Sequence, residues 1–273
     1  MPFSNTNFRF GFIGTGNMGG ALARAACKSL VPEGIVLSNR TPTKARNLAS
    51  QLGCMVADNE TVAARSEFIF LGVKPQMMAD MLSGIAPILA ARKDRFILVT
   101  MAAGLTMEQI CRMAGGDYPV IRIMPNTPAS IGCGMILYTA NDLVTPEEKT
   151  RFVGNLIGAG KFDELPESLI DAGSAVSGCG PAFVYMFIEA LADGGVAAGL
   201  PRAKAMEYAA QTVRGSAQLI LESGQHPGLL KDAVCSPGGS TIMGVRALEM
   251  GGFRAATINA VLDACERTKE LGK

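Results

Sequence analysis

An apolar strand, a glycine turn and a helix follow one another between Phe8 and Lys28, and this stretch constrains the fold more than any other. Phe8–Ile13 is apolar except for Arg9 and Gly11. Gly14-Thr15-Gly16-Asn17-Met18-Gly19 then fits G-x-G-x-x-G, and the alanine-rich Ala21–Lys28 follows. In a dinucleotide-binding strand-turn-helix unit each glycine has a steric task. Gly14 makes the tight turn, Gly16 lets the backbone approach a pyrophosphate, and Gly19 lets helix and strand pack closely. The phosphates then lie at the helix N-terminus, where unpaired N–H groups and the positive end of the dipole favour an anion. With 32 glycines among 273 residues, the glycine pattern alone decides little. The strand before it and the helix after it give it weight.

Ile35–Ser38 reads as the second strand and leads into Asn39-Arg40-Thr41-Pro42. An NAD-binding fold usually places an acidic residue here, on the adenosine ribose. There is no carboxylate. Arg40 offers a cation and several N–H donors suited to a 2′-phosphate, so Asn39 and Arg40 are expected to hold NADP, with NAD as a second cofactor. Thr43–Leu52 reads as a helix, Cys54–Val56 as a short strand, and Asn59 as the cap of the next helix. The continuous apolar run Phe68–Val73 suits a parallel strand buried on both faces. Ligands of open α/β sheets bind outside the carboxyl ends of the strands, so Gly72, Val73, Lys74 and Pro75 are expected near the cofactor. Lys74, at a strand end, reads as a solvated or phosphate-facing charge. Phe96–Thr100 repeats the pattern and ends in Met101-Ala102-Ala103-Gly104, small residues against which a ligand can lie.

Val120–Met124 reads as a strand ending in the rigid Pro125-Asn126-Thr127-Pro128, and Cys133–Thr139 as another. A helix over Pro146–Ile157, capped by Thr145, and a final strand over Lys161–Leu165 complete an alternation that predicts a doubly wound, Rossmann-type α/β domain over residues 1–165. From Pro166 the segments beginning at Pro181, Pro201, Gly239 and Phe253 read as helices rich in alanine, leucine and methionine. Residues 166–273 are therefore expected to form an all-helical domain. Its helices are apolar on more than one face, which predicts packing against a second subunit, in a homodimer or a ring of dimers.

The net charge is only +1, with no basic run, so neither nucleic acid nor a membrane surface is an expected partner and a small molecule is. Ala172–Ile188 carries no charge, but its glycines and Pro181 break it up, which predicts a buried segment and not a membrane span. The seven cysteines are scattered without a C-x-x-C pair, so no disulfide framework and no metal site is expected, and the cytoplasm fits. No basic region with a long apolar stretch precedes the first strand, so no secretory signal is expected.

In the helical half, Val234-Cys235-Ser236-Pro237-Gly238-Gly239-Ser240-Thr241, running on through Ala247-Leu248-Glu249, resembles the signature of the pyrroline-5-carboxylate reductases. Ser177-Gly178-Cys179-Gly180-Pro181-Ala182-Phe183, Ala192-Asp193-Gly194-Gly195, Gly199-Leu200-Pro201-Arg202, Gln225-His226-Pro227-Gly228 and Gly251-Gly252-Phe253-Arg254 agree with it. So do Val73-Lys74-Pro75, Ala102-Ala103-Gly104 and Met124-Pro125-Asn126-Thr127-Pro128 in the first half. The resemblance covers nearly the whole chain, and its helical motifs are far more specific than the glycine fingerprint.

The resemblance implies the last step of proline synthesis, in which NAD(P)H gives a hydride to the C=N carbon of 1-pyrroline-5-carboxylate. It implies that Ile13, Gly14, Thr15, Gly16, Asn17, Met18, Asn59, Gly72, Val73, Lys74, Pro75, Met101, Ala102 and Ala103 hold the cofactor. Gly239, Ser240 and Thr241 would hold the substrate carboxylate and ring nitrogen, with Glu167 at the edge of that site and Thr241 as the catalytic candidate. Helix capping by Thr241 is the alternative. Some relatives have asparagine at the position of Ala233, so a side-chain contact made there is missing here. The lone His226 reads as a surface histidine in a turn. A cyclic imine takes its proton from solvent, so the enzyme mainly positions it and excludes water. A two-domain hydroxyacid dehydrogenase is the enzymatic rival, but its lysine early in the helical domain has no counterpart between Lys161 and Lys204. A non-catalytic NADP-binding sensor would not need the loop Gly238–Thr241.

Overall fold

Phe8–Ile13, buried at every position but Arg9, forms the interior strand β1 of a computed structural model that describes residues 7–271. β2 (Ile35–Ser38), β3 (Met55–Val56), β4 (Ser66–Leu71), β5 (Ile97–Thr100), β6 (Val120–Met124), β7 (Gly134–Ala140) and β8 (Gly160–Glu164) complete a sheet of order β3-β2-β1-β4-β5-β6-β7-β8. All neighbours are parallel except β6 and β7. The order reverses at β1, so the crevice between the carboxyl ends of β1 and β4 is the topological switch point where such sheets bind ligands.

The period-two alternation of the strands divides the core between the two faces. Phe10, Phe12, Phe68, Phe70, Ile97, Val99, Ile121 and Ile123 lie on one face, and Ile13, Ile69, Leu71, Leu98 and Val120 on the other. Phe10 and Phe12 sit opposite Phe68 and Phe70 in register, and Phe12 stacks on Phe70 at 4.2 Å. Phe152 joins them, with its ring 5.5 Å from that of Phe68 and 6.4 Å from that of Phe162.

Helices α1 (Asn17–Ala26), α2 (Pro42–Leu52), α3 (Asn59–Arg65), α4 (Met78–Ala91), α5 (Met107–Ala114) and α6 (Pro146–Leu156) connect the strands. Thr145 caps α6 in a reciprocal capping box with Glu148, as its sequence predicts. For α3 the expected cap moves by one residue. Asp58, in extended backbone, accepts the Thr61 N–H at 2.7 Å, and this bond holds its carboxyl below the usual range. Asn59 is the first helical residue, and its Oδ1 instead accepts from Ser38 Oγ at 2.6 Å.

The remaining helices are α7 (Glu167–Ser177), α8 (Gly180–Ala197), α9 (Arg202–Ser223), α10 (Pro227–Ala233), α11 (Ser240–Met250) and α12 (Phe253–Leu271). The chain divides into two compact units, one running to Cys179 and taking in the residues from Ala264 onward, the other Gly180–Asp263. The strands end at Glu164, but α7 belongs to the first unit, where Ile170 packs with Met124 and Leu137. In the second unit α8 and α9 pack together over the small buried residues Ala192, Ala205 and Ala209. Such a core buries little apolar area, and large side chains stay outside it, among them Met186 at 70% and Leu221 at 74% exposure.

Candidate active site

The glycine turn after β1 is fixed by backbone contacts that leave no room for a side chain. Gly14 has φ +104°, its N–H donates to Ser38 O at 2.9 Å, and a Cβ on it would lie 2.4 Å from Gly72 O. Gly72 in turn donates to Ile13 O at 2.8 Å, which binds the turn to the end of β4. The Thr15 N–H donates to Asn39 Oδ1 at 3.0 Å, while Asn39 Nδ2 donates to Thr41 O at 3.1 Å. Asn39 thus fastens the glycine turn to the loop after β2.

Gly16 is the N-cap of α1. It provides no side-chain cap, and the first turn of the helix holds no acidic residue. Its missing Cβ would point into open space, with nothing within 4 Å. The unpaired N–H groups of α1 therefore face an open position that an anionic group can enter.

That position belongs to a groove of about 670 Å³ in the first unit. Ile13, Gly14, Gly16, Asn39, Arg40, Asn59, Gly72, Val73 and Lys74 line it, so the structure brings together most of the residues assigned to the cofactor. Thr15 and Asn17 line an adjoining hollow with Arg24 and Lys44, and Met18 is half-buried in the first turn of α1. Pro75 opens the short turn after Lys74. Met101, Ala102 and Ala103 follow β5 at the same end of the sheet but are not among the groove's lining residues, and the Ala102 side chain is buried in the core. The sequence reading missed Lys44, which lines the groove from the first turn of α2, and Asp80, its acidic member. A second basic residue shortly after Arg40 is the signal that could have found Lys44.

The residues fit a phosphorylated dinucleotide. Arg40 is exposed at the groove with Nη1 3.9 Å from Met77 Sδ, and three cations against one carboxylate give the groove a positive balance. A second hollow of about 640 Å³, sharing Arg40 and Asn59, offers room for an adenosine end.

Glu167 lies elsewhere in the first unit. Its Oε1 accepts the Met107 N–H at 2.8 Å and stands 3.5 Å from Arg122 Nη1, while Arg122 Nη2 donates to Asp171 Oδ1 at 2.5 Å. Arg122 is 1% exposed within β6, and its Nε has no hydrogen-bond partner among the described residues. The sequence reading passed over Arg122 and Asp171. An arginine inside an apolar strand, and two acids four apart on one helix, are the signals for them.

Gly239, Ser240 and Thr241 lie in the second unit, where Gly239 is the N-cap of α11. No side chain caps this helix, so capping is not the task of Thr241, whose side chain is exposed. His226, read as a turn residue, caps α10 by accepting the Gly228 N–H on Nδ1 at 3.0 Å.

Comparison with known proteins agrees with this architecture. Residues 9–104 match a family model described as NADP oxidoreductase, coenzyme F420-dependent, and residues 167–271 match pyrroline-5-carboxylate reductase dimerisation. The chain is 44% identical to a pyrroline-5-carboxylate reductase of Escherichia coli (strain K12) over 97% of its own length and 98% of the relative's. It is 41% identical to that of Glycine max over 99% and 98%. Among solved structures it is similar to the pyrroline carboxylate reductase of Plasmodium falciparum with NADP bound, at a TM-score of 0.87 and 32% identity, covering 99% of this chain and 100% of that one. A glycine-loop dinucleotide fold, a helical region that matches the reductase dimerisation model, and relatives matched end to end show that this chain belongs to the pyrroline-5-carboxylate reductases, the NAD(P)H-dependent oxidoreductases that reduce a C=N bond.

Proposed function

We propose that this chain reduces 1-pyrroline-5-carboxylate to L-proline with NADPH as its preferred cofactor, using the residues assigned above. The observation that carries the reading is the bare, uncapped N-terminus of α1 opening into a groove that holds Arg40 where an NAD site has a carboxylate. Bound NADPH supplies the hydride. The loop Ile13–Met18 receives the pyrophosphate on backbone N–H groups, and Asn39 positions that loop. Arg40, with Lys44 beside it, reads the 2′-phosphate. Asn59, the segment Gly72–Pro75 and the small residues Met101–Ala103 form the rest of the bed. Gly239 and Ser240 offer the N–H groups at the start of α11 to the substrate carboxylate, and the Thr241 hydroxyl accepts from the protonated ring nitrogen. Glu167 is assigned to the substrate as well.

Two variants test these roles. Arg40→Ala should lower the specificity constant for NADPH by roughly 10- to 100-fold, the effect of a lost charge-assisted hydrogen bond, and leave NADH nearly unchanged. Equal losses with both cofactors would remove Arg40 as the phosphate reader. Thr241→Ala should reduce turnover of 1-pyrroline-5-carboxylate by about tenfold or more, keep the NADPH affinity, and stay within about 0.5 kcal/mol of the parent in stability. Thr241→Ser should keep most of the activity. Normal turnover in the alanine variant would leave substrate binding to the backbone of α11, and failure of the unaltered protein to oxidise NADPH with this substrate would overturn the reading as a whole.

The assembly is a homodimer or a ring of dimers. The second unit exposes an apolar groove of about 770 Å³ lined by Phe183, Phe187, Leu191, Leu248 and Phe253, and its own buried core is small. Glu167–Ala197 is apolar and long enough by composition to cross a bilayer, with 11% of its most apolar window buried, but it is divided into α7 and α8. Coverage by a second copy accounts for that exposed apolar surface. Sedimentation should give a dimer or a multiple of it at micromolar concentration, and a monomer there would refute the assembly. The reducing cytoplasm is the proposed location, which cell fractionation can check.

A further inference from the structure

Cys27 Sγ and Cys54 Sγ lie 3.5 Å apart in the first unit. Cys27 is the C-cap of α1, and Cys54 follows Gly53, the left-handed C-cap of α2. The approach does not rest on the two side chains alone. One turn back on each helix, Arg24 Nη2 donates to Gln51 Oε1 at 2.6 Å, so the ends of α1 and α2 are held together independently of the sulfur atoms. Both thiols pack at the edge of the phenylalanine-rich core. Burial raises the pKa of both, that of Cys54 to about 12, which keeps the pair as thiols at neutral pH. Neither residue lines the cofactor groove.

We infer that Cys27 and Cys54 form a reversible oxidation site, closed by a low-molecular-weight disulfide such as glutathione disulfide, that staples the end of α1 to the turn between α2 and β3. The half-buried Cys27 reacts first. Its thiol loses a proton, and the thiolate attacks one sulfur of the glutathione disulfide. A Cys27–glutathione bond forms as the disulfide bond breaks and the first glutathione thiolate leaves. Cys54 then loses its proton and attacks Cys27 Sγ, which forms the Cys27–Cys54 bond and expels the second glutathione. The two cysteines are oxidised by two electrons, one glutathione disulfide is reduced to two glutathiones, and the two protons go to the leaving thiolates. Because α1 and α2 both begin at the cofactor groove and are joined at their far ends, the bond secures the walls of the adenosine side without touching a ligand contact.

The test uses the full-length protein equilibrated with glutathione disulfide, then acid-quenched, alkylated, digested and weighed. A cross-linked pair of peptides carrying Cys27 and Cys54 is expected, while the exposed Cys133 carries only a mixed disulfide. Cys54→Ser should trap glutathione on Cys27, and Cys27→Ser should leave Cys54 reduced. The rate should rise between about pH 7 and 9, as expected for thiols with raised pKa values. The cross-linked protein should melt roughly 5 °C or more above the reduced form and bind NADPH equally well. Persistent glutathione on Cys27 in the unaltered protein, no reaction there while Cys133 reacts, or a fall in melting temperature on cross-linking would each overturn the inference.

Discussion

Gly16→Ala should weaken NADPH binding by about 100-fold while costing no more than about 1 kcal/mol of stability, because the added methyl meets no protein atom and stands where a phosphate would approach. Gly14→Ala should lose binding to the same degree and destabilise the first unit as well. Its Cβ would lie 2.4 Å from Gly72 O, a backbone atom that cannot swing away, and its φ of +104° disfavours any side chain. Gly84→Ala is the control, since a Cβ there, in the middle of α4, has nothing within 4 Å and alanine favours the helix. NADPH titration followed by fluorescence, paired with a urea melt, separates the three. Unimpaired binding by Gly16→Ala would mean that the pyrophosphate does not cross the α1 N-terminus.

Arg122→Ala carries the largest expected loss of stability, about 3 to 5 kcal/mol. The guanidinium is almost wholly desolvated, and without it the carboxylates of Asp171 and Glu167, about three-quarters buried, lose their shared cation while a cavity opens inside β6. Asp171→Asn retains an acceptor oxygen and should cost less. A urea midpoint shift equivalent to under about 1 kcal/mol for Arg122→Ala would show that water readily replaces the pair, and the network would then be peripheral.

The first half of the fold was legible because its signals are local. Continuous apolar runs such as Phe68–Val73 suit strands covered on both faces, and the Gly14 turn has one backbone solution. β4 nonetheless begins at Ser66 and stops at Leu71, since burial and pairing with β1, not apolarity, decide where a ladder ends. The same limit explains Asn59. Asp and Asn stand side by side, either could cap, and the choice fell to the residue whose backbone was already extended, which left the asparagine for Ser38. The helix α7 escaped notice because its short apolar face follows Pro166 directly, and its bond to the sheet runs through Arg122, a contact between residues 49 positions apart that no periodicity encodes. In the helical half the sequence already starts a helix at Gly239, and the structure refines this by one residue, with Gly239 as the N-cap and Ser240 as the first residue of α11.

The ladder of phenylalanine rings across β1, β4 and α6 also has a spectroscopic consequence. The chain has no tryptophan and only four tyrosines, whereas Phe10, Phe12, Phe68, Phe70 and Phe152 are locked ring against ring in one chiral arrangement. Near-ultraviolet circular dichroism should therefore display sharp vibronic bands of phenylalanine, normally hidden beneath indole absorption. Those bands report on the cofactor-binding unit far more than on the helical one, whose backbone contributes chiefly in the far ultraviolet. Loss of the bands ahead of the far-ultraviolet signal on heating would reveal the sheet losing its packing while the helices persist, a distinction available here without any engineered probe.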